Sequence, residues 1–383
     1  MSGLSASLAS LMRQRRKWYA SLPVAANAAV PGEREASTAE LTEVTDFGSN
    51  PGHLRMFSYL PDGLAKGAAL VVVLHGCTQD AAGYNQGSGW SKLADEAGFA
   101  LVFAEQQRAN NPNTCFNWFL RGDTERGQGE PMSIHQMVRH MLRDRRLDPA
   151  QVFITGLSAG GGMTSVMLAT YPELFAAGAI IGGLPYGAAG NVQEAFASMN
   201  GVSREAELWG DRVRAAAGHQ GPWPRVSIWH GTDDPTVRLV NAHELVKQWT
   251  NVHGIVSLEP ARALGDGHER LTWAGPKGGL VELVTIAGMG HGVPVDPSQE
   301  SGGETGAYFL DAGIASTRHI AAFWGLIPEK AVDRPRPAAP TWPEKRMTMP
   351  REPGLPAAEA PALGASDING VITKALKAAG LMR

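Results

Sequence analysis

Residues 155–162 read TGLSAGGG, between the apolar run QVFI (151–154) and the helix-like run MTSVMLATYPELF (163–175). One serine, Ser158, is fenced by four glycines and an alanine at the point where a strand would end. Gly156-Leu157-Ser158-Ala159-Gly160 matches G-x-S-x-G set after a strand and before a helix, the context that a nucleophile elbow requires. The reason is steric: the serine sits in a tight turn, so the residues two before and two after it must lack bulk. The helix that begins there points N–H groups and its positive end at the serine. A glycine-rich phosphate cradle looks alike locally, but G-x-x-x-x-G-K-[ST] needs a lysine that this loop lacks. Gly161 and Gly162 exceed what the elbow needs and cost helix stability, so close packing of the helix start against a neighbouring loop or strand is expected.

Working outward, apolar runs alternate with helical stretches. Strands are predicted at 54–60, 69–74, 99–105, 151–157, 177–183, 226–230 and 280–287. Helices are predicted at 91–98, 131–146, 160–170, 239–252 and about 314–325, with Pro131 suited to a first turn. The run ALVVVL (69–74) is of the kind buried on both faces of a parallel sheet. Strand–helix alternation at this spacing predicts a doubly wound, mostly parallel α/β sheet with helices on both faces, and ligands at the carboxyl ends of its strands. Residues 186–224 suit a small insertion over a sheet edge. Residues 1–40 form an Ala/Ser-rich, partly helical extension. Beyond 326 the chain turns Pro/Ala-rich and reads as an arm, 327–383, with a short amphipathic helix at its end.

Bulk properties exclude several functions. The chain has 383 residues, 43% hydrophobic and 19% charged, with a net charge of −3. That balance gives no argument for nucleic acid, and no stretch reaches the length of a membrane span. The basic cluster at 13–17 interrupts any signal-peptide core, so the default location is cytoplasmic. The two cysteines, Cys77 and Cys115, fit no zinc pattern and read as two buried thiols or one disulfide. No metal and no organic cofactor is expected.

A serine hydroxyl needs a base, and in this fold an acid and then a histidine follow it. Of the histidines downstream of Ser158, only His291 lies in a Gly-rich loop directly after a predicted strand (TIAGMGHG). His243, His253 and His319 fall on or beside helices, and His219 and His268 in polar, irregular segments. His230 ends a strand, where it would hold its loop by hydrogen bonding. WHGTDDPTV (229–237) supplies the acid: the spacing H-G-x-x-D-x-x-V selects Asp234, leaving Asp233 as a turn residue. Asp234 would fix the tautomer of His291. An oxyanion hole needs two backbone N–H groups. Ala159 offers one, and Cys77, in LHGCTQD (74–80), offers the other.

These stretches resemble the polyhydroxybutyrate depolymerase-like esterases, an α/β-hydrolase family that includes feruloyl and acetylxylan esterases. The resemblance covers about residues 41–326 and runs through VVVLHGCTQDAAGYNQGSGW, CFNWF, RGQGEPMSIHQMV, VFITGLSAGGGM, VSIWHGTDDPTV and TIAGMGHGVPVD. It implies Ser158 as nucleophile, Asp234 as acid, His291 as base, and the Cys77 and Ala159 amides as oxyanion hole. It also implies a Cys77–Cys115 disulfide and secretion, as in many members. Trp118 would line the substrate cleft or pack in the core, and the loops around Trp118 and Tyr84, with the 186–224 insertion, would set acyl preference. The expected partner is a small ester or a short hydroxyalkanoate oligoester. Feruloyl or acetyl esters, or acyl transfer through the same acyl-enzyme, are the alternatives. The Pro-rich arm is too short for a separate polymer-binding domain, which speaks against crystalline polymer as substrate.

Overall fold

The computed structural model describes residues 40–329, apart from residue 277. The helix-like pieces expected at the two ends of the chain lie outside the described residues. Ten strands form one sheet in the order β1-β2-β4-β3-β5-β6-β7-β10-β9-β8. They are β1 (Thr42–Val44), β2 (Arg55–Tyr59), β3 (Leu70–Leu74), β4 (Ala100–Glu105), β5 (Val152–Leu157), β6 (Ala177–Ile181), β7 (Arg225–Gly231), β8 (Ala261–Gly265), β9 (His268–Gly275) and β10 (Gly278–Ile286). The central strands β4, β3, β5, β6, β7 and β10 run parallel, with antiparallel strands at each edge. This is the doubly wound, mostly parallel sheet that the strand–helix alternation predicts, as the family resemblance also implies.

The sheet divides two cores. Leu70, Val72 and Leu74 face one, while Val71 and Val73 face the other, the two-residue alternation of a strand buried on both sides. Each face is covered by helices. They are α1 (Ala81–Ser88), α2 (Trp90–Ala97), α3 (Gly129–Asp144), α4 (Ala159–Thr170), α5 (Val192–Met199), α6 (Ala206–Ala217), α7 (Val240–Val252) and α8 (Ser316–Trp324). Every residue of α4 is buried. A short second sheet pairs β11 (Val293–Val295) with β12 (Phe309–Asp311).

Three expectations need correction. The insertion at 186–224 folds as α5 and α6, and it does not cover a sheet edge. It joins β6 to β7, which are interior neighbours, so it lies over the helical layer, with α6 packed on α7 and α4. Trp209 of α6 is fully buried and donates its Nε1–H to Glu244 Oε2 at 2.7 Å. His268 belongs to no irregular segment: it begins β9, after the two-residue turn Asp266-Gly267, where Gly267 has φ 71°. An Asp-Gly pair between alternating residues is a hairpin signal, obscured here because every residue of β8 is exposed and polar residues break the pattern. Tyr84 is no cleft residue. It lies on the inner side of α1, 1% exposed, its ring edge-on to Phe309, and burial raises its phenol pKa.

The register aligns the carboxyl ends of the central strands. Leu74 pairs with Gly156, Leu157 with Ile181, Ile181 with Trp229, and Gly231 with Ile286. The loops after these six strands therefore leave the sheet along one rim. Helix α4 starts against that rim with almost no clearance. A Cβ on Gly160 would lie 2.4 Å from the Leu74 carbonyl oxygen and 2.5 Å from that of His75. One on Gly161 would meet Ile181 O at 3.0 Å, and one on Gly162 the Trp118 ring at 2.7 Å. The glycine run is the close helix packing that its length suggested.

Alanine is favoured over glycine in helices by about 1 kcal/mol. At Gly160 the clash is with backbone oxygens that cannot swing aside, so packing wins. Gly160→Ala is expected to destabilise the fold by about 1–3 kcal/mol, read as a lower urea midpoint at unchanged slope.

Candidate active site

Ser158 stands between β5 and α4 with φ 57° and ψ −116°, a left-handed backbone rare for a residue with a side chain. Two hydrogen bonds hold it there: its N–H donates to Ile181 O at 2.9 Å, and its carbonyl accepts from Gly162 N–H at 2.8 Å. A Cβ on Gly156 would lie 2.4 Å from Gly160 O, so the two glycines of the motif close the turn against each other. The serine remains partly exposed while its neighbours are buried.

Asp234 and His291 arrive from the ends of β7 and β10. Asp234 is 3% exposed, and its Oδ2 accepts the Nδ1–H of His291 at 2.6 Å. Its Oδ1 accepts from Thr236 N–H and Val237 N–H, both at 2.8 Å. Burial pushes the Asp234 carboxyl up, but the bond and charge of His291 and the Val237 N–H outweigh it and hold the group below its usual value. Asp233 is exposed and shapes the turn, donating its N–H to Met289 O at 3.1 Å. The two loops are also tied by Thr232 N–H to Ile286 O and by Gly288 N–H to Thr232 Oγ1. A Cβ on Gly231 would lie 2.1 Å from Met289 O, so only glycine admits this approach.

His291 lies beside the elbow. Gly182 follows Ile181, the residue bonded to Ser158 N–H, and has φ 52°. A Cβ there would be 3.2 Å from His291 Cε1 and 3.3 Å from Nδ1. The strand expected to run to 183 stops at Ile181 because the chain turns at Gly182 beneath the imidazole. His230 donates Nε2–H to Val237 O at 2.7 Å; burial lowers its pKa and keeps it neutral. It holds the acid loop, as its place at the strand end suggested.

The loop after β3 is braced from four sides. Burial lowers the His75 pKa, and the neutral ring donates Nδ1–H to Gly76 O at 2.7 Å while Nε2 accepts from Gln106 N–H at 3.1 Å. Gln79 Oε1 accepts from Gly76 N–H, and Thr78 N–H donates to Asn113 O. Cys77 is disulfide-bonded to Cys115. Ala159 opens α4, so its N–H has no acceptor within the helix. Among the described residues neither the Cys77 nor the Ala159 N–H donates to another group.

The far side of the bridge rests on a carboxyl that carries no role in the sequence patterns. Glu130 is 1% exposed and accepts from Gln106 Nε2, Asn117 N and Asn117 Nδ2 at 2.5, 2.9 and 2.7 Å. It locks the segment CFNWF, and its one sequence signal is its place within RGQGEP. Trp118 in that segment is 7% exposed; it both packs on α4 and lines a cavity beside Ser158. The candidates Ser158, Ala159, Cys77, Cys115 and Trp118 thus meet at one cavity, with His291 and Asp234 beside it. Tyr84 is not in its lining.

A family model described as esterase PHB depolymerase matches residues 54–272. The chain belongs to the PHB depolymerase esterase family. This family member is 47% identical over 297 residues to poly(3-hydroxyalkanoate) depolymerase C of Paucimonas lemoignei, an alignment covering 76% of this chain and 72% of that one. It is 35% identical over 271 residues to an acetylxylan esterase of Coprinopsis cinerea, covering 69% and 72%. Among solved structures, an acetyl xylan esterase from Aspergillus awamori matches with a TM-score of 0.64 at 27% identity, covering 75% of this chain and all of that one. The protein is a carboxylic-ester hydrolase.

Two expectations concern this site. Asp234→Asn should lower kcat by about 10⁴-fold, because the histidine loses its tautomer control. Its stability deficit against wild type should be full above about pH 4, the ordinary aspartate value. It should shrink as pH falls further, since a carboxylate with a depressed folded pKa loses its contribution there; urea unfolding from pH 7 to pH 2.5 reads it. Cys77→Ser/Cys115→Ser should cost about 2–4 kcal/mol in the same unfolding assay. Its kcat should also fall in fully folded protein, because the Cys77 amide is no longer anchored.

Proposed function

We propose that the enzyme hydrolyses carboxylic esters through a covalent acyl-serine, with Ser158 as nucleophile, His291 as general base and acid, and Asp234 as the group orienting His291. The observation that carries this reading is the 2.6 Å bond from His291 Nδ1–H to buried Asp234, set beside a serine held at positive φ. With Nδ1–H committed to Asp234, the proton-accepting nitrogen is Nε2. It takes the Ser158 proton as Oγ bonds to the ester carbonyl carbon. The Cys77 and Ala159 amides hold the resulting oxyanion. The tetrahedral adduct collapses, the C–O bond to the alcohol breaks, and Nε2–H protonates the departing oxygen. Water then gives a proton to Nε2 and adds to the acyl carbon. Collapse returns Ser158 and releases the acid.

The substrates we assign are short hydroxyalkanoate oligoesters, supported by the 47% identity to a poly(3-hydroxyalkanoate) depolymerase. A second reading, acetyl esters of carbohydrates, is supported by the acetyl xylan esterase match and by the small cavity beside Ser158, about 30 Å³.

Ser158→Ala should lower kcat on a short aryl ester by about 10⁶-fold. A fluorophosphonate should label wild type at Ser158 and leave the variant unlabelled. Wild-type turnover by Ser158→Ala would overturn the mechanism. A kcat/KM panel of hydroxybutyrate oligomers, methyl ferulate and aryl acetates decides between the substrate readings.

A further inference from the structure

We infer that Met199 sets the acyl-chain length this esterase accepts, by closing a small acyl cavity beside Ser158; the inference rests on the nucleophile role proposed for that serine. The cavity holds about 30 Å³ and is walled by Ser158, Ala159, the Cys77–Cys115 bridge, Trp118 and Met199. Neither His291 nor Asp234 lines it. That asymmetry identifies its occupant. The carbonyl carbon attacked by Ser158 carries three groups: the oxygen that becomes the oxyanion, the leaving alkoxy oxygen, and the acyl chain. The leaving oxygen must sit beside His291 to receive its proton, and the oxyanion must sit at the Cys77 and Ala159 amides. A cavity that touches Ser158 and both amide-bearing residues, yet not the histidine, is left for the acyl chain. The cavity is small and lined mostly by apolar side chains, which suits a short acyl chain.

Met199 is the wall that can vary. Cys77 and Cys115 are bridged, Ala159 begins α4, the Trp118 ring abuts Gly162, and the other walls, Phe119, Leu184 and Val237, are fully buried in the main core. Met199 instead ends α5, in the insertion, and is half-buried. Its backbone is anchored independently of its side chain. The carbonyl accepts from Arg238 N–H at 2.9 Å and from Asn241 Nδ2 at 3.2 Å. Two residues on, a Cβ at Gly201 would be 2.1 Å from Val240 Cγ1, so the chain lies against the start of α7. Arg238 follows Val237, which also lines the cavity and donates its N–H to Asp234. The insertion is therefore pinned to the acid loop by main chain, and the unbranched thioether reaches into the cavity from that fixed point. For a hydroxyalkanoate the space fits the carbons nearest the carbonyl and not a longer alkyl branch.

The test measures kcat/KM for p-nitrophenyl acetate, butyrate and hexanoate, where the leaving group is constant, and for a series of acetates with different alcohols, where the acyl group is constant. Met199→Ala should raise the hexanoate-to-acetate ratio by about tenfold or more, as expected for methylene-sized changes in an apolar pocket. Met199→Phe should lower that ratio, and Met199→Leu should stay near wild type. The alcohol series should keep its wild-type ratios in all three. The assignment is overturned if the alcohol series moves instead of the acyl series. It is equally overturned if Met199→Phe and Met199→Leu, both folded by circular dichroism, share the wild-type acyl profile. A Ser158→Ala control separates the two levels. Wild-type turnover there removes the nucleophile and this assignment together, whereas an inactive control with unchanged Met199 profiles removes this one alone.

Discussion

Everything at the catalytic rim depends on how closely helix α4 begins against the ends of β3 and β6. Gly160 leaves no room for a methyl group beside the Leu74 and His75 carbonyls, and Gly161 almost none beside Ile181. That contact turns the chain at Ser158 into a left-handed backbone and aims the first N–H of α4 into the same space as the loop after β3. With a larger residue at Gly160 the helix would stand off, and the two candidate oxyanion amides would part. The strain of one serine at positive φ is carried by a helix buried along its whole length and by strands buried on both faces.

The rest of the rim repeats the device with other partners. Gly231 lets the acid loop reach the carbonyl of Met289, and Gly182 lets His291 lie beside β6. At each point glycine replaces distance with backbone contact, and hydrogen bonds then fix what the contact allows. Asp234 is held by two main-chain N–H groups before it meets the imidazole. A buried carboxylate held in this way neither rotates nor takes up solvent protons readily, which suits the role of orienting His291 proposed for it. The disulfide and Glu130 do similar work on the other flank, holding the Cys77 loop and the Trp118 segment as one wall.

Much of this was legible in the linear sequence, and for identifiable reasons. The elbow is a local object: five consecutive residues and their flanking periodicities specify it. His291 and Asp234, which meet in the structure, were singled out because each follows a predicted strand, and strand ends converge on one rim in a parallel sheet. The hairpin β8–β9 was not found, because an exposed edge strand lacks the alternation that burial imposes. The insertion was placed over a sheet edge because its length says nothing about which layer it joins. Tyr84 was expected in a cleft loop, yet helix α1 turns it inward against Phe309 of β12, a residue more than two hundred positions on that no local pattern pairs with it.

The sequence by itself determined the fold class and the family resemblance, since those rest on periodicity and on short motifs whose chemistry is local. Only the tertiary structure put Asp234 in contact with His291 while leaving its neighbour exposed, set Trp118 against Gly162 as well as beside the serine, and brought Met199 of the insertion to the cavity wall. These are distances between residues far apart in the chain, and they depend on how strands register and how closely helices dock. Neither quantity is written in any single stretch of residues.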